Sequence, residues 1–409
     1  MKDNKLLITI LMAGICSTNH LNAASVCGAN EDNCWECGTN CVARLNNGNF
    51  RVSVLDGAES ASMKYFYAQG YAAAPWRSSM DSITSITVDN GVSNISNYAF
   101  LNASNLRSVS IPNSVTTIDG GAFEGTTSLS SVTLPNNLTS LRDKAFYKSG
   151  LTSIDIPDSV TSIGTQALSG ESGVRSPLKY VNFGENSQLK TCNDAFSWTS
   201  MSSIDLPYGL ETIGSYTFYG TPIKSITIPN SVTTIGSYSF WSSSFNDLII
   251  PSSVTKIGAA AFYGFDTNAS ILIEGKPEIE ADSFFPLHPN MKIYCLDDYS
   301  ACHDYLDTRA VYYTNENGLY KTTADGKYFA SGELMMADTN GDKACKDKAE
   351  CLQILATLQA GKSFISNGKF YKSLSDWATG NYEKKRIYTV QEANQVSKPT
   401  GNRVSIRYK

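Results

Sequence analysis

Along much of the chain, apolar and polar residues alternate in short runs, and the runs return every two dozen residues. In the copy from Leu106 to Phe123, Val109 and Ile111 fall on one face and Ser108 and Ser110 on the other. That alternation is the period of a half-buried strand. The last apolar residue of this strand recurs as Val88, Ile111, Leu134, Ile156, Phe183, Leu206, Ile228, Ile250 and Ile273, at steps of 23, 23, 22, 27, 23, 22, 22 and 23. Pro112, Pro135, Pro157, Pro207, Pro229 and Pro251 follow directly. Proline has no N–H to give a ladder, so pairing stops at the same point in each copy. A second apolar pair comes next, as in Val115 and Ile118 or Val232 and Ile235. Gly164, Gly214, Gly236 and Gly258 then stand where a sharp turn calls for positive φ. An Ala-Phe step closes the copy, as in Ala122-Phe123 and Ala261-Phe262. It reads as a one-turn helical or 3₁₀ corner that fills the interior.

A strict repeat of this length means a solenoid. One coil cannot bury enough apolar surface to offset the entropy of ordering it, so the coils must stack. About nine coils at strand spacing give a parallel sheet roughly 40 Å long, whose two open ends need covers.

The phrase L-x-x-I-x-I-P-x-x-V-x-x-I-G-x-x-A-F, running from about Ile83 to Ile293, resembles the BspA-type leucine-rich repeat. The resemblance implies a leucine-rich-repeat solenoid of short parallel β-strands with 3₁₀ or short helical corners. It also implies an exported surface or secreted protein with a binding role, and it names neither a catalytic residue nor a ligand. Two coils depart from the phrase. The coil at Leu178 follows a five-residue excess between Gly170 and Pro177, has Gly184 in place of proline, and puts Cys192 where isoleucine belongs. The coil at Ile271 lacks both the proline and the Ala-Phe step, as a degenerate terminal coil would.

The flanks are organised differently. Residues 1–23 read as a signal peptide: Lys2 and Lys5, an apolar run from Leu6 to Ile15, and cleavage after Ala23. Ile15 before Cys16 is too large for a lipidation site, and the apolar run is too short to span a bilayer. Residues 24–80 form a Cys-rich N-terminal cap, with a hairpin around Asn47-Gly48. Residues 81–294 are the solenoid and residues 295–409 a C-terminal α+β extension. The extension is expected to hold a helix over Lys346–Gln359 with Leu352, Leu355 and Gln359 on one face, and hairpins turning at Asn317-Gly318 and Asp325-Gly326. A short helix over Thr389–Val396 and a strand over Arg403–Lys409 complete it.

Of ten cysteines, Cys16 leaves with the signal. Cys27, Cys34, Cys37 and Cys41 cluster before the repeats, and Cys295, Cys302, Cys345 and Cys351 follow them. The first four could bind zinc by spacing, but an oxidising compartment favours disulfides for all eight. Their connectivity stays open. Cys192, at a core position, is expected as a buried free thiol.

Chemistry-bearing patterns are sparse. His288 and His303 are the histidines left after signal removal, and no nucleophile elbow accompanies them. Asp338, Asn340 and Asp342 begin like a calcium loop, yet Lys343 takes the glycine place and Ala349 the acidic one, which leaves a polar turn. Net charge is −5, which offers no nucleic-acid footprint, and no cofactor fingerprint is present. The basic residues Lys384, Lys385, Arg386, Arg403, Arg407 and Lys409 read as a solvated face. These features point away from an enzyme.

Stacking places equivalent side chains in rows. The strand-face row, including Ser108, Ser110, Ser153, Asp155, Tyr180, Asn182, Ser203 and Asp205, is small and polar. Aromatic residues flank the Ala-Phe corner: Tyr216 and Tyr238 precede it, and Tyr147, Tyr219, Trp241 and Tyr263 follow it. Two readings fit these six. They anchor a ligand, or they pack on one another and shield the corners. The expected function is a non-catalytic bacterial surface-recognition protein or adhesin that binds host matrix, host cell-surface or microbial protein. Glycan binding by the aromatic row and an enzyme within residues 295–409 are the alternatives.

Overall fold

The computed structural model describes residue 27, residues 32–70 and 73–245 and, with short gaps, residues 247–371. The signal segment, His288, Cys302, His303, the Asp338–Asp342 turn, the basic tail and the elements expected at 389–409 lie outside the described residues.

The repeat folds as a solenoid whose coils stack in parallel. Its most regular ladder is the short second strand, not the longer strand before the proline. Two-residue strands from Asn94–Ile95 to Glu278–Ile279 form one nine-stranded sheet. Ile95, Ile118, Leu141, Ile163, Cys192, Ile213, Ile235 and Ile257 point inward along it and are buried. Preceding threonines bridge coils: Thr139 Oγ1 donates to the Thr116 carbonyl at 3.0 Å, and Thr255 Oγ1 to that of Thr233 at 3.1 Å. The Ile-Pro strand was expected to make one sheet and instead makes several. Ser85–Val88 pairs with Ser108–Ser110, Ser153–Ile156 with Tyr180–Phe183, and Ser203–Asp205 with Ser225–Thr227. Between these groups single bonds carry the contact, such as Thr152 N–H to the Ser130 carbonyl at 3.0 Å.

The corners are turns rather than helices. Every second N–H crosses to the next coil: Tyr98 to Gly120 O, Phe100 to Ala122 O and Asn102 to Glu124 O, at 3.0, 2.9 and 2.7 Å. Tyr216, Phe218 and Gly220 repeat the pattern at 3.0, 2.8 and 2.9 Å. A helix would spend these donors within the coil. Reaching the neighbour requires a left-handed residue just before the small-aromatic step. That residue is Tyr98, Gly121, Lys144, Gln166, Asp194, Tyr216, Tyr238, Ala260 or Asp282, with φ from 44° to 61°. Each non-glycine there costs roughly 1–2 kcal/mol, which the inter-coil bonds offset.

Gly164, Gly214, Gly236 and Gly258 do not take the positive φ expected of them. They are required by close stacking. A Cβ would meet Asp143 N at 2.4 Å from Gly164, Cys192 O at 2.6 Å from Gly214, Ser215 N at 2.5 Å from Gly236 and Ser237 N at 2.5 Å from Gly258.

Inside, the corner phenylalanines form a spine. Phe196, Phe218, Phe240, Phe262 and Phe284 stack with centroids 5.1–5.8 Å apart, as do Phe100, Phe123 and Phe146 at 5.2–5.5 Å. Leu168 interrupts the spine, and Phe183 reaches the Phe196 ring edge-on at 6.4 Å. Cys192 replaces isoleucine in the next coil and is a buried free thiol.

The N-terminal cap continues the solenoid's sheet. Cys34–Thr39, Cys41–Asn46 and Asn49–Val54 are antiparallel, turning at Asn47 and Gly48. Asn49–Val54 then pairs in parallel with Ser85–Val88. Trp76 and Phe50 cover the end of the phenylalanine spine, and the Trp76 indole N–H donates to the Ala99 carbonyl at 2.7 Å. Disulfides join Cys27 to Cys34 and Cys37 to Cys41.

At the other end Lys292–Leu296 pairs in parallel with Ser270–Ile273 and with Ala310–Glu316. The chain then reverses through antiparallel Leu319–Thr322 and Tyr328–Phe329. Cys295 is disulfide-bonded. The helix Lys348–Gln359 follows, tied by the Cys345–Cys351 disulfide. Cys351 and Ile354 are its buried residues, Leu355 packs partly against the same cluster, and Leu352 is exposed.

Candidate functional site

The six corner aromatics separate into a strip of five and one outlier. Tyr216 and Tyr238 are the left-handed residues of adjacent coils, and their rings stack 5.2 Å apart, 6° from parallel. Tyr219 and Trp241, one residue past the buried phenylalanines, stack at 4.5 Å and 15°. Trp241 and Tyr263 continue at 6.4 Å and 9°. A cross-contact of 5.5 Å between Tyr216 and Tyr219 joins the two rows. The solenoid dictates this geometry: equivalent positions repeat by translation, so equal side chains come face to face.

The strip is partly exposed. Tyr216 is the most open of the five, at 43%, and the rest are intermediate. Beneath it, buried hydroxyls satisfy the turn carbonyls. Thr217 Oγ1 donates to Cys192 O and Gly214 O, both at 2.8 Å, and Thr221 Oγ1 donates to Phe196 O at 2.9 Å. Among the described residues, the polar tips of Tyr216, Tyr219, Tyr238 and Trp241 have no hydrogen-bond partner. Burial, then the neighbouring Tyr216 and Tyr238, push the Tyr219 phenol above its ordinary value. It remains a protonated donor at neutral pH.

Tyr147 stands apart. The coil after it carries Ser169 and Gly170 at the corner. Its ring lies under Lys144 and Lys148, whose Nζ atoms are 5.3 and 5.5 Å from the centroid. Burial raises its phenol, and Lys148 works against that shift.

Trp198 joins the strip although the repeat register did not single it out. Its indole meets Tyr219 edge-on at 5.7 Å. It sits one position later than Tyr219 does, at a second left-handed site with φ 52°. The indole lies on the backbone of Gly220, where a Cβ would come within 2.8 Å of it. Only its offset from the aromatic row hid it.

The five-residue excess forms a ridge beside Trp198. Glu171 and Val174 bridge antiparallel, and Ser176 N–H donates to Trp198 O at 2.8 Å. Arg175 Nε reaches two corners along the solenoid and donates to Gly220 O at 2.8 Å. Lys148 pairs with Glu171 at 2.6 Å on the other flank. Val174, 62% exposed, tops the ridge.

The expected thiol route to catalysis is closed at Cys295, which is oxidised. Burial pushes the Cys192 thiol up to about 12, the opposite of what a nucleophile needs. Among the described residues no group of three metal-ligating side chains converges, and no helix is long and apolar enough to cross a membrane.

Comparison with known proteins agrees with the fold. The BspA type leucine rich repeat region matches in six copies over residues 78–175 and 189–293. The gap between the two matched stretches covers Ser176 and Pro177 and the strand of the Leu178 coil. No curated protein matches the chain. A leucine-rich repeat protein from Bacteroides ovatus is 25% identical, over 63% of this chain and 70% of that one, with a TM-score of 0.48. One from Eubacterium ventriosum is 20% identical, over 64% and 78%, with a TM-score of 0.42. A leucine rich cell surface protein from Faecalibacterium prausnitzii is 19% identical, over 66% and 91%, with a TM-score of 0.32.

Proposed function

The chain belongs to the BspA-type leucine-rich repeat family, and from that premise we propose that it is an exported, non-catalytic recognition protein. Its protein partner docks on the corner strip of Trp198, Tyr216, Tyr219, Tyr238, Trp241 and Tyr263. The observation that carries this reading is the direction of the rings. In the pairs Tyr216–Tyr238, Tyr219–Trp241 and Trp241–Tyr263 the faces are turned toward one another, at 4.5–6.4 Å and within 15° of parallel, and Trp198 meets Tyr219 edge-on. Among the described residues, the hydroxyls of Tyr216, Tyr219 and Tyr238 and the Trp241 indole N–H lack an internal hydrogen-bond partner.

Such a surface suits a protein. Tyrosine and tryptophan offer large contact area at low entropy cost and dominate interface hot spots. Their pre-stacking removes part of the ordering penalty of association. A sugar, by contrast, would stack its C–H face on an open ring face, and in the strip's stacked pairs each ring gives at least one face to a neighbour. This supports a protein partner over a glycan at this strip. The solenoid fold and the chain's export motivate a partner on a host or microbial surface, with the protein secreted or held at the cell surface.

The reading is tested by saturable binding of the exported chain to a panel of extracellular-matrix proteins and mucins. A captured partner should be released by the Tyr219→Ala, Trp241→Ala double variant. Absence of saturable binding across matrix, mucin and microbial surfaces would remove the proposal.

A further inference from the structure

The N-terminal cap carries a second aromatic surface, outside the repeat. Phe66 is fully buried and meets Trp76 edge-on at 5.1 Å. Its burial turns both neighbours outward, leaving Tyr65 55% and Tyr67 56% exposed. Their rings are 4.9 Å apart at 69°. An edge-to-face pair covers one ring face of four, whereas stacked rings cover one another. With both rings more than half exposed, this pair leaves more ring surface to solvent than any residue of the corner strip.

The neighbourhood is polar in a specific way. Tyr98 begins the corner row, and its ring and the Glu124 carboxylate both lie against Gly121. A Cβ on that glycine would meet the Tyr98 ring at 2.5 Å and Glu124 Oε2 at 3.2 Å. Phe66, between the two tyrosines, packs on Trp76, whose indole N–H donates to the carbonyl of Ala99, the residue after Tyr98. Among the described residues, neither the hydroxyls of Tyr65, Tyr67 and Tyr98 nor the Glu124 carboxylate has a hydrogen-bond partner. The exposed tyrosine pair is thus linked through Phe66 and Trp76 to the corner that carries Tyr98 and an acceptor-only carboxylate.

We propose that this patch is a carbohydrate site. Tyr65 and Tyr67 form a platform for a neutral, β-linked pyranose oligosaccharide, and Tyr98 and Glu124 supply its hydrogen-bonding edge. A β-linked sugar with equatorial substituents presents axial C–H groups on its faces and hydroxyls around its rim. The negative face of an aromatic ring attracts the C–H groups, and a carboxylate accepts from two hydroxyls. Size decides against a protein here. Two tyrosines about half exposed offer on the order of 200 Å², whereas a stable protein interface needs about 800 Å² from each partner. One or two sugar rings fit the smaller figure.

The test is calorimetric titration of the exported chain with cellohexaose, laminarihexaose and chitohexaose. Wild type should bind at least one of them saturably. Tyr65→Ala and Tyr67→Ala should each weaken that binding about tenfold or more, and the double variant should abolish it. Tyr65→Phe with Tyr67→Phe should keep most of it, because the ring faces survive. Tyr219→Ala with Trp241→Ala should bind as wild type does. Tyr65 and Tyr67 are exposed, and an unchanged circular dichroism spectrum verifies the fold of each variant. Three outcomes overturn the proposal: no saturable binding of any of the three sugars, wild-type binding by the Tyr65/Tyr67 double alanine variant, or equal loss in the strip variant. The first two leave protein docking at the strip untouched, and the third would count against it.

Discussion

Tyr219 lies face to face with Trp241, 4.5 Å between ring centroids and 15° from parallel, although 22 residues separate them in sequence. The pair is a direct product of the solenoid's translation. Stacking of this kind adds about 0.5–1.5 kcal/mol beyond area burial. A double-mutant cycle on Tyr219→Ala and Trp241→Ala, followed by urea unfolding, is expected to return a coupling energy in that range. Coupling indistinguishable from zero would mean the rings do not hold one another in place.

That pair also marks how far the sequence could be read. The period and the buried Ile and Phe positions were legible, because burial imposes a repeat on residue type. The corner backbone was not. Its left-handed residue is Tyr98, Lys144, Gln166, Asp194 or Tyr216 as readily as Gly121, so the propensity of the residue carries no signal. The conformation comes from hydrogen bonds to a coil more than twenty residues away. Trp198 was missed because it stands one place out of the row, and Tyr65 and Tyr67 because they precede the repeat. The Gly164, Gly214, Gly236 and Gly258 positions were recognised as special for the wrong reason. Inter-coil clearance, not φ, requires them.

Clearance makes a sharp prediction for glycine substitutions. A Cβ at Gly236 would sit 2.5 Å from Ser215 N and 2.6 Å from Gly214 C, both backbone atoms that cannot move without separating the coils. Gly236→Ala should destabilise by about 2 kcal/mol or more. Gly209 meets nothing closer than 3.6 Å and has no positive φ, so Gly209→Ala should be neutral or stabilising by up to about 1 kcal/mol. Thermal unfolding of the two variants tests the contrast. Equal effects would contradict it.

Cys192 links stability to alkaline pH. Burial raises its thiol from 9.0 to about 12 in the folded chain. A raised folded-state pKa means the contribution is complete below the unfolded value and fades as pH climbs through the folded one. Between about pH 9 and pH 12 this residue alone should lower stability by close to 1.4 kcal/mol per pH unit. Comparing wild type with Cys192→Val at pH 8 and pH 10.5 isolates the effect from the tyrosines, with the wild type losing more. The thiol should also resist alkylation until denaturant is added.

Arg175 should matter for order rather than for global stability. Its Nε bond to Gly220 O spans two corners at 2.8 Å from an exposed side chain. Arg175→Ala is expected to cost under about 1 kcal/mol, but to speed amide exchange at Ser176, whose N–H bonds to Trp198 O. Unchanged exchange across residues 170–177 would show that the ridge holds itself.

The central claim is that partner affinity resides in the stacked strip and not in corner aromatics generally. Trp241→Ala and Tyr147→Ala remove comparable corner rings, one inside the strip and one beyond the ridge. The decisive measurement is the dissociation constant of each variant for a captured protein partner. The account predicts a loss of about tenfold or more for Trp241→Ala and less than about twofold for Tyr147→Ala. Wild-type affinity in Trp241→Ala, or an equal loss in both variants, would contradict it.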